Sequence, residues 1–235
     1  ARRSTVLWLA ACGAVMLLTQ SATVALSTVG CLLVIAGLVV QRRVPVHLRL
    51  RVVGIFAGVG VATAIAAFFC RHTIADAFGR SPDMSGRSVI WHAVEPLVAQ
   101  RPIGGWGWFI GWPTSMEPFA SLVIRPDGTP TNQAHNVYVE AALTTGFVGA
   151  AMITVAIVWT LYRVVKVAVA HIDDNLWDVI PAVIIIAMFI QSFTESRLLF
   201  EGNWMLFVII ATWVKVRGEV PVVWPSAARQ HLEYS

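Results

Sequence analysis

The sequence predicts an all-α, polytopic membrane protein with about six transmembrane helices and one long extracytoplasmic loop containing an interfacial helix. Three observations predict it. Of 235 residues, 57% are hydrophobic and only 13% are charged, and the mean hydropathy is +0.71, far from a soluble globular composition. Apolar runs recur at lengths approaching the roughly 20 helical residues that cross a hydrocarbon core of about 30 Å. The cationic residues fall in short clusters at the ends of those runs, the pattern that sets orientation in a bilayer.

These clusters account for the net charge of +4, so nucleic acid is not an expected partner. Cys12, Cys31 and Cys70 lie in or at the end of apolar runs without paired spacing, which points to neither a disulfide framework nor a zinc site. The opening Ala1-Arg2-Arg3 has no initiator methionine, and the apolar run after it lacks a small-residue cleavage site. No signal peptide is expected, and a fragment of a longer chain is an open reading.

Residues 1–69 are expected to hold three spans, at about 4–18, 22–40 and 52–69. Thr19-Gln20-Ser21 separates the first two, and a basic connector from Gln41-Arg42-Arg43 through Arg49 and Arg51 precedes the third. Residues 136–217 are expected to hold three more, at about 136–161, 176–193 and 203–214. With Arg2/Arg3, Arg42/Arg43, Arg163/Lys166 and Lys215/Arg217 on the cytoplasmic side, the loop 70–135 and the turn 194–202 fall outside. Residues 218–235 read as a loosely ordered cytoplasmic tail.

The loop 70–135 is too rich in tryptophan and apolar residues to be disordered. Ile90, Val94, Leu97 and Val98 repeat at helical spacing. They predict an interfacial amphipathic helix with Ser85 as N-cap, a kink at Pro96 and a stop at Pro102. Beyond it, Gly104, Gly105, Gly107 and Gly111 permit tight turns, while Trp106, Trp108 and Trp112 supply flat faces with one donor each. Those rings read either as an aromatic belt at headgroup level or as stacking platforms for sugars. His72 and His92 are expected at the interface.

The loop ends in Ala134-His135-Asn136-Val137-Tyr138-Val139-Glu140, which puts an imidazole, an amide and a carboxylate where polar chain enters a membrane helix. A charge on the apolar side of that boundary costs about 2 to 3 kcal/mol even on lenient insertion scales, so it is expected to be paired, water-lined or functional. Asn136 and Glu140 share one helix face. His135 lies about 140° around a regular helix from Glu140, so contact between them requires His135 to sit in the non-helical cap. The plainer alternative is that His135 and Asn136 cap a helix and Glu140 pairs with a neighbouring span.

The order Gly86-Arg87-x-x-x-Trp91, then Gly104 and Gly107 after Pro102, then His135-Asn136-x-x-x-Glu140 followed by Gly146 resembles the O-antigen ligase and O-antigen polymerase superfamily, over about residues 80–150. The resemblance is to the C-terminal half of such proteins, with a missing N-terminal half or a partner chain implied for the rest. It implies a glycosyltransferase, or glycan ligase, embedded among the lipids of the bacterial cytoplasmic (inner) membrane. Such an enzyme moves a glycan from a polyprenyl diphosphate carrier to a lipid or glycan acceptor on the outer face, in polysaccharide biosynthesis for the cell envelope.

For that reaction the residues divide into roles. A leaving diphosphate is often neutralised by a metal held on aspartates, but no Asp-x-Asp lies outside and Asp173-Asp174 falls on the cytoplasmic side. No metal and no cofactor are therefore expected, and guanidinium groups, always ionised and able to grip phosphate in two places, are expected to supply the charge. Arg87 is the first of these, with Arg101, Arg125 and Arg197 as further candidates. Asn136, Trp91, Trp106 and Trp108 complete the expected substrate-binding set. His135 is the expected general base for the acceptor hydroxyl, with Glu140 as its catalytic companion. Arg197 and Glu201, four residues apart, read equally as a surface ion pair, and Glu195 stays unassigned. Two other classes stay open: a transporter or flippase for lipid-linked glycans, and a non-catalytic membrane subunit. For the former, the spans offer only Pro181, Gly146, Gly149 and Gln191.

Overall fold

The structure, a computed structural model, describes residues 2–19, 22–70, 86–125, 127–173 and 176–219. Within them the chain is helical: α1 (Arg2–Thr19), α2 (Ala22–Gln41), α3 (Val46–Phe69), α4 (Arg87–Gln100), α5 (Val137–His171), α6 (Val179–Ser192) and α7 (Glu201–Glu219). Short 3-10 turns at Leu176–Asp178 and Arg197–Leu199 lead into α6 and α7. Pairing of extended chain among the described residues is limited to an antiparallel bridge between Ile124 and Pro130.

α5 is the central element. α2, α3, α4, α6 and α7 all pack on it, and α2 also lies along α6. Its inward face contributes Val137, Ala141, Ile157, Val164, Val167 and Ala168 to the main core, met by Ala182 and Ile185 of α6 and by Phe207, Ile210 and Val214 of α7. A smaller core lies beneath the loop, where Ile90, Val94 and Leu97 of α4 pack with Trp112, Phe119, Ala134 and Leu143. This is the face that the spacing of α4 predicts, with Val98 at its partly buried edge. Outside the cores, Leu7, Trp8 and Leu18 of α1 and Ile55, Phe56 and Phe69 of α3 are exposed.

Among the described residues, α5 is the helix long and apolar enough to cross a membrane, with shorter apolar stretches at Ser4–Val15, Ser27–Gln41 and Val179–Ser192. Several boundaries differ from the sequence reading. α5 runs past 161 to His171, because Val164, Val167 and Ala168 remain buried in the bundle while Arg163 and Lys166 occupy the intervening turns. α3 begins at Val46, inside the basic connector, since Arg49 is buried against α5: its guanidinium donates to Asp173 Oδ2 at 2.7 Å and to the Val44 carbonyl at 3.0 Å. Arg42 likewise donates to the Ile172 carbonyl at 3.2 Å. With Arg49 Nη1 also donating to the Val169 carbonyl at 3.5 Å, both cations sit on carbonyls at the C-terminal end of α5, where the helix dipole favours them. α7 extends to Glu219, so the expected tail loses its first two residues to helix, and 220–235 lie outside the described residues. Gly86, at φ 63°, occupies the N-cap position of α4 without a side-chain cap, and Ser85 lies outside the described residues. Pro96 is accommodated within a continuous α4, which ends at Gln100, just before Pro102.

The kink lies in α5 instead. Gly146 has φ 67° and ψ −177°, which interrupts the helix. The segment after α4 fills the interruption: Trp106 N donates to the Leu143 carbonyl and Gly107 N to the Thr144 carbonyl, both at 2.9 Å, while Phe147 N donates to the Pro102 carbonyl at 2.7 Å. A Cβ on Gly146 would overlap the Ile103 carbonyl, and one on Gly105, at φ 65°, would overlap that of Thr144. Gly146→Ala is therefore expected to destabilise the fold by on the order of 2 to 3 kcal/mol, from left-handed strain plus displacement of the loop. Thermal melting in detergent checks this against Gly58→Ala, where a Cβ meets nothing within 4 Å; equal melting of the two variants would contradict it.

Candidate functional site

The polar residues at the start of α5 are organised from the backbone outward. Asn136, with extended φ −161°, is the N-cap, and its Oδ1 accepts from Tyr138 N at 2.9 Å and Val139 N at 3.1 Å, satisfying donors that the helix cannot. Its Nδ2 donates to the Phe193 carbonyl at 3.1 Å, and its backbone N donates to Ser196 Oγ at 3.1 Å. One residue thus caps α5 and ties it to the turn after α6. Tyr138 Oη adds a second tie, 3.1 Å from Ser192 Oγ.

Glu140 is 1% exposed, and three donors occupy its carboxylate. Oε1 accepts from Trp112 Nε1 at 2.8 Å, and Oε2 accepts from Ala134 N at 2.6 Å and Ser196 Oγ at 3.2 Å. His135, for which Glu140 is the expected companion, is not among these donors. Asn136 and Glu140 turn toward backbone and loop, and His135 takes a different carboxylate.

His135 has φ 50°, outside the helix as the sequence geometry required for any contact across the cap. Its Nδ1 lies 3.2 Å from Glu195 Oε2, and Arg87 Nη2 donates to Glu195 Oε1 at 3.1 Å. One carboxylate therefore bridges the two residues that the sequence singles out first. The three side chains retain 23 to 25% of their exposure, so the cluster is braced yet open. Its parts come from three places. Arg87 opens α4; Trp91, one turn on, donates its indole N–H to the Ala134 carbonyl at 2.9 Å, docking α4 beside His135. Glu195 follows α6, where its N donates to the Gln191 carbonyl at 2.8 Å.

The other expected residues lie around this centre or apart from it. Arg197 is exposed, two residues from Glu195, and shares a small cleft with Glu195, Gln191, Ser192 and Asn203; the side chain of Glu201, its expected ion-pair partner, lies outside what is described. Arg101 stacks over the Trp106 ring at 4.2 Å, and Trp106 donates to the Leu97 carbonyl at 2.8 Å while meeting Phe119 edge-on. Trp108 is exposed, with its ring centre 6.2 Å from that of Trp204. Arg125 sits on an exposed turn with Asp127, whose carboxyl is held below its usual pKa by hydrogen bonds from the Thr129 hydroxyl and backbone N–H. Among the described residues, neither Arg101 nor Arg125 forms a hydrogen bond or ion pair with the Arg87, Glu195 and His135 cluster. His92 pairs with Glu95 on the exposed side of α4, and His72 lies outside the described residues.

The sequence alone leaves Glu195 unassigned, offers Trp112 only as one of the flat rings of the loop and gives Ser196 no role. The available signal was sidedness, since the turn 194–202 falls on the same side as His135. Nothing in the local sequence pairs residues 60 positions apart. No group of three or more His, Cys, Asp or Glu suited to hold a metal occurs among the described residues.

No curated protein and no solved structure matches the chain. A family model described as O-antigen ligase matches residues 5–154, a range that takes in Arg87, Trp91, the loop glycines, His135, Asn136, Glu140 and Gly146. The match covers more than half of the chain, which therefore belongs to the O-antigen ligase family of membrane enzymes.

Proposed function

We propose that this protein is an integral-membrane glycan ligase that transfers a glycan from a polyprenyl diphosphate carrier to a lipid or glycan acceptor, without a metal, at the outer face of the cytoplasmic membrane. The observation that carries this reading is the Glu195 carboxylate held between Arg87 and His135. In the proposed arrangement Nδ1–H of His135 donates to Glu195, which leaves Nε2 unprotonated and free to act as the base. Nε2 takes the proton of the acceptor hydroxyl as its oxygen bonds to the anomeric carbon. The bond from that carbon to the diphosphate oxygen breaks, and the leaving charge develops opposite Arg87, with Arg197 next along the rim. Arg87 suits the task because a guanidinium stays ionised and can engage two phosphate oxygens together.

Glu140 enters as a positioning residue, acting through Trp112, Ala134 and Ser196 rather than on substrate. Asn136 acts likewise, as the cap that sets where His135 leaves the helix. Trp106 and Trp108 remain candidates for sugar contact at the loop surface, Trp108 being the more exposed; Arg101 and Arg125 would meet only a long glycan. For a transporter, the break at Gly146 offers no open ligand site, because loop backbone occupies it.

The six-span topology belongs to the same proposal. Arg42, Arg49, Arg163, Lys166 and Arg217 gather at the C-terminal end of α5, roughly 40 to 55 Å along the helix from His135. Cations retained in the cytoplasm put His135, Arg87 and Glu195 outside. The exposed apolar side chains of α1 and α3 then face lipid or the remainder of a longer protein.

Three outcomes test these roles in reconstituted protein. His135→Ala is expected to lower glycan transfer by at least about 10²-fold, the usual contribution of a general base, with unchanged melting temperature; full activity would remove the base assignment. Arg87→Ala is expected to raise the KM for the lipid diphosphate donor more than Arg87→Lys does, because lysine keeps the charge but loses the two-point grip. Steady-state kinetics at varied donor checks the order, and equal effects of the two would count against a phosphate contact. Glu140→Ala is expected to cost about 3 kcal/mol or more in stability, since buried donors of Trp112 and Ala134 lose their acceptor at about 1 to 3 kcal/mol each. A variant that melts normally but fails to transfer would instead put Glu140 in the chemistry.

A further inference from the structure

The end of the bundle away from His135 carries a cleft that glycan transfer does not use. It lies between the first turn of α3, the last turns of α5 and the end of α7, and encloses about 590 Å³, a size suited to a small organic ligand. His47, Arg49, Arg163, Lys166, His171 and Arg217 line it.

The two acids described beside the cleft, Asp173 and Asp178, do not neutralise this set. Asp173 is taken by Arg49 at 2.7 Å and Asp178 by Arg217 at 3.1 Å, with His171 Nδ1 3.8 Å from Asp178 and 3.0 Å from the Val167 carbonyl. Arg163 and Lys166, three residues apart on α5, form no ion pair among the described residues. Trp159 steadies Arg163 from below, its ring centre 5.9 Å from the guanidinium carbon. Gly218 of α7 leaves room for the guanidinium: a Cβ there would come 2.6 Å from Arg163 Nη2. The cleft is thus a concave wall with two cations that no described acid pairs, a shape that concentrates positive potential.

The rest of the wall is apolar. Val46, Leu50, Val167 and Ala170 complete it, and α3 continues away from it with Ile55, Phe56 and Val59 exposed. A soluble anion has use for the cations alone, whereas a lipid needs cations at headgroup level with an apolar flank for its chains. We infer that this cleft seats the phosphate headgroup of an anionic phospholipid on Arg163 and Lys166, with the acyl chains along α3. The bound lipid bridges α3 to α5 and α7. This assignment rests on the chain lying in a bilayer with its basic end at the cytoplasmic leaflet, and is independent of the transferase chemistry.

Native mass spectrometry of the full chain in detergent, titrated with phosphatidylglycerol, phosphatidylcholine or inorganic phosphate, tests it without any transfer assay. The expected result is retention of phosphatidylglycerol in preference to phosphatidylcholine, weakened about tenfold or more in R163Q/K166Q and kept in R163K/K166R, which preserves both charges. Equal retention of phosphatidylcholine by the unmodified protein would overturn the inference, and that comparison does not depend on a variant folding. Unchanged phosphatidylglycerol retention in R163Q/K166Q, or its displacement by equimolar inorganic phosphate, would overturn it as well.

Discussion

The buried carboxylate of Glu140 is the constraint on which the rest of the site depends. Removing a carboxylate from water is costly, and the cost is tolerable only when strong donors replace the lost solvent. Here the donors come from the indole of Trp112, the backbone of Ala134 and the hydroxyl of Ser196. These are three separate stretches of chain: the middle of the long loop, its last turn before α5, and the turn after α6. Satisfying one side chain therefore fixes the relative positions of the residues next to those donors. His135 follows Ala134, and Glu195 precedes Ser196. The bond from His135 to Glu195 is thus a consequence of a network built one layer deeper.

The same economy governs the break in α5. Two carbonyls freed at Gly146 would be expensive to leave unpaired in an apolar setting. The loop that follows α4 supplies N–H groups to both, and α4 is thereby attached at its C-terminal end to the helix whose start it approaches with Arg87 at its N-terminal end. Trp91 and Trp106 complete the attachment by donating to backbone carbonyls of Ala134 and Leu97. Two of the tryptophans that sequence reasoning offered to sugars thus have their indole N–H groups engaged in holding the loop together.

How much of this could be read from the sequence follows the range over which each interaction acts. Helices and their apolar faces are local matters, and the spacing of Ile90, Val94 and Leu97 or the run after Val137 reveals them directly; the Asn136 cap is the plainer of the two readings that the sequence leaves for that residue. The gathering of Arg42, Arg163, Lys166 and Arg217 at one end was also readable, because each lies at the end of an apolar run. The inward turn of Glu140 was not: one helix face carries both Asn136 and Glu140, and only the fold shows that Trp112 reaches back 28 residues to occupy the carboxylate. Glu195 was harder still, since its two partners lie 60 and 108 positions away and the turn that bears it carries no periodic signal. α5 outran its expected end because burial of Val164 and Val167 outweighed the charges of Arg163 and Lys166, a balance set by the neighbours of the helix.

The central claim is that Arg87 and His135, joined by Glu195, face one bound substrate. A density map of the reconstituted protein with a lipid diphosphate analogue tests it most directly. The account predicts diphosphate density within hydrogen-bond reach of the Arg87 guanidinium, with the sugar end approaching His135. Density for the diphosphate at the opposite end of α5, against Arg163 and Lys166, with the space beside Arg87 and His135 empty, would contradict it.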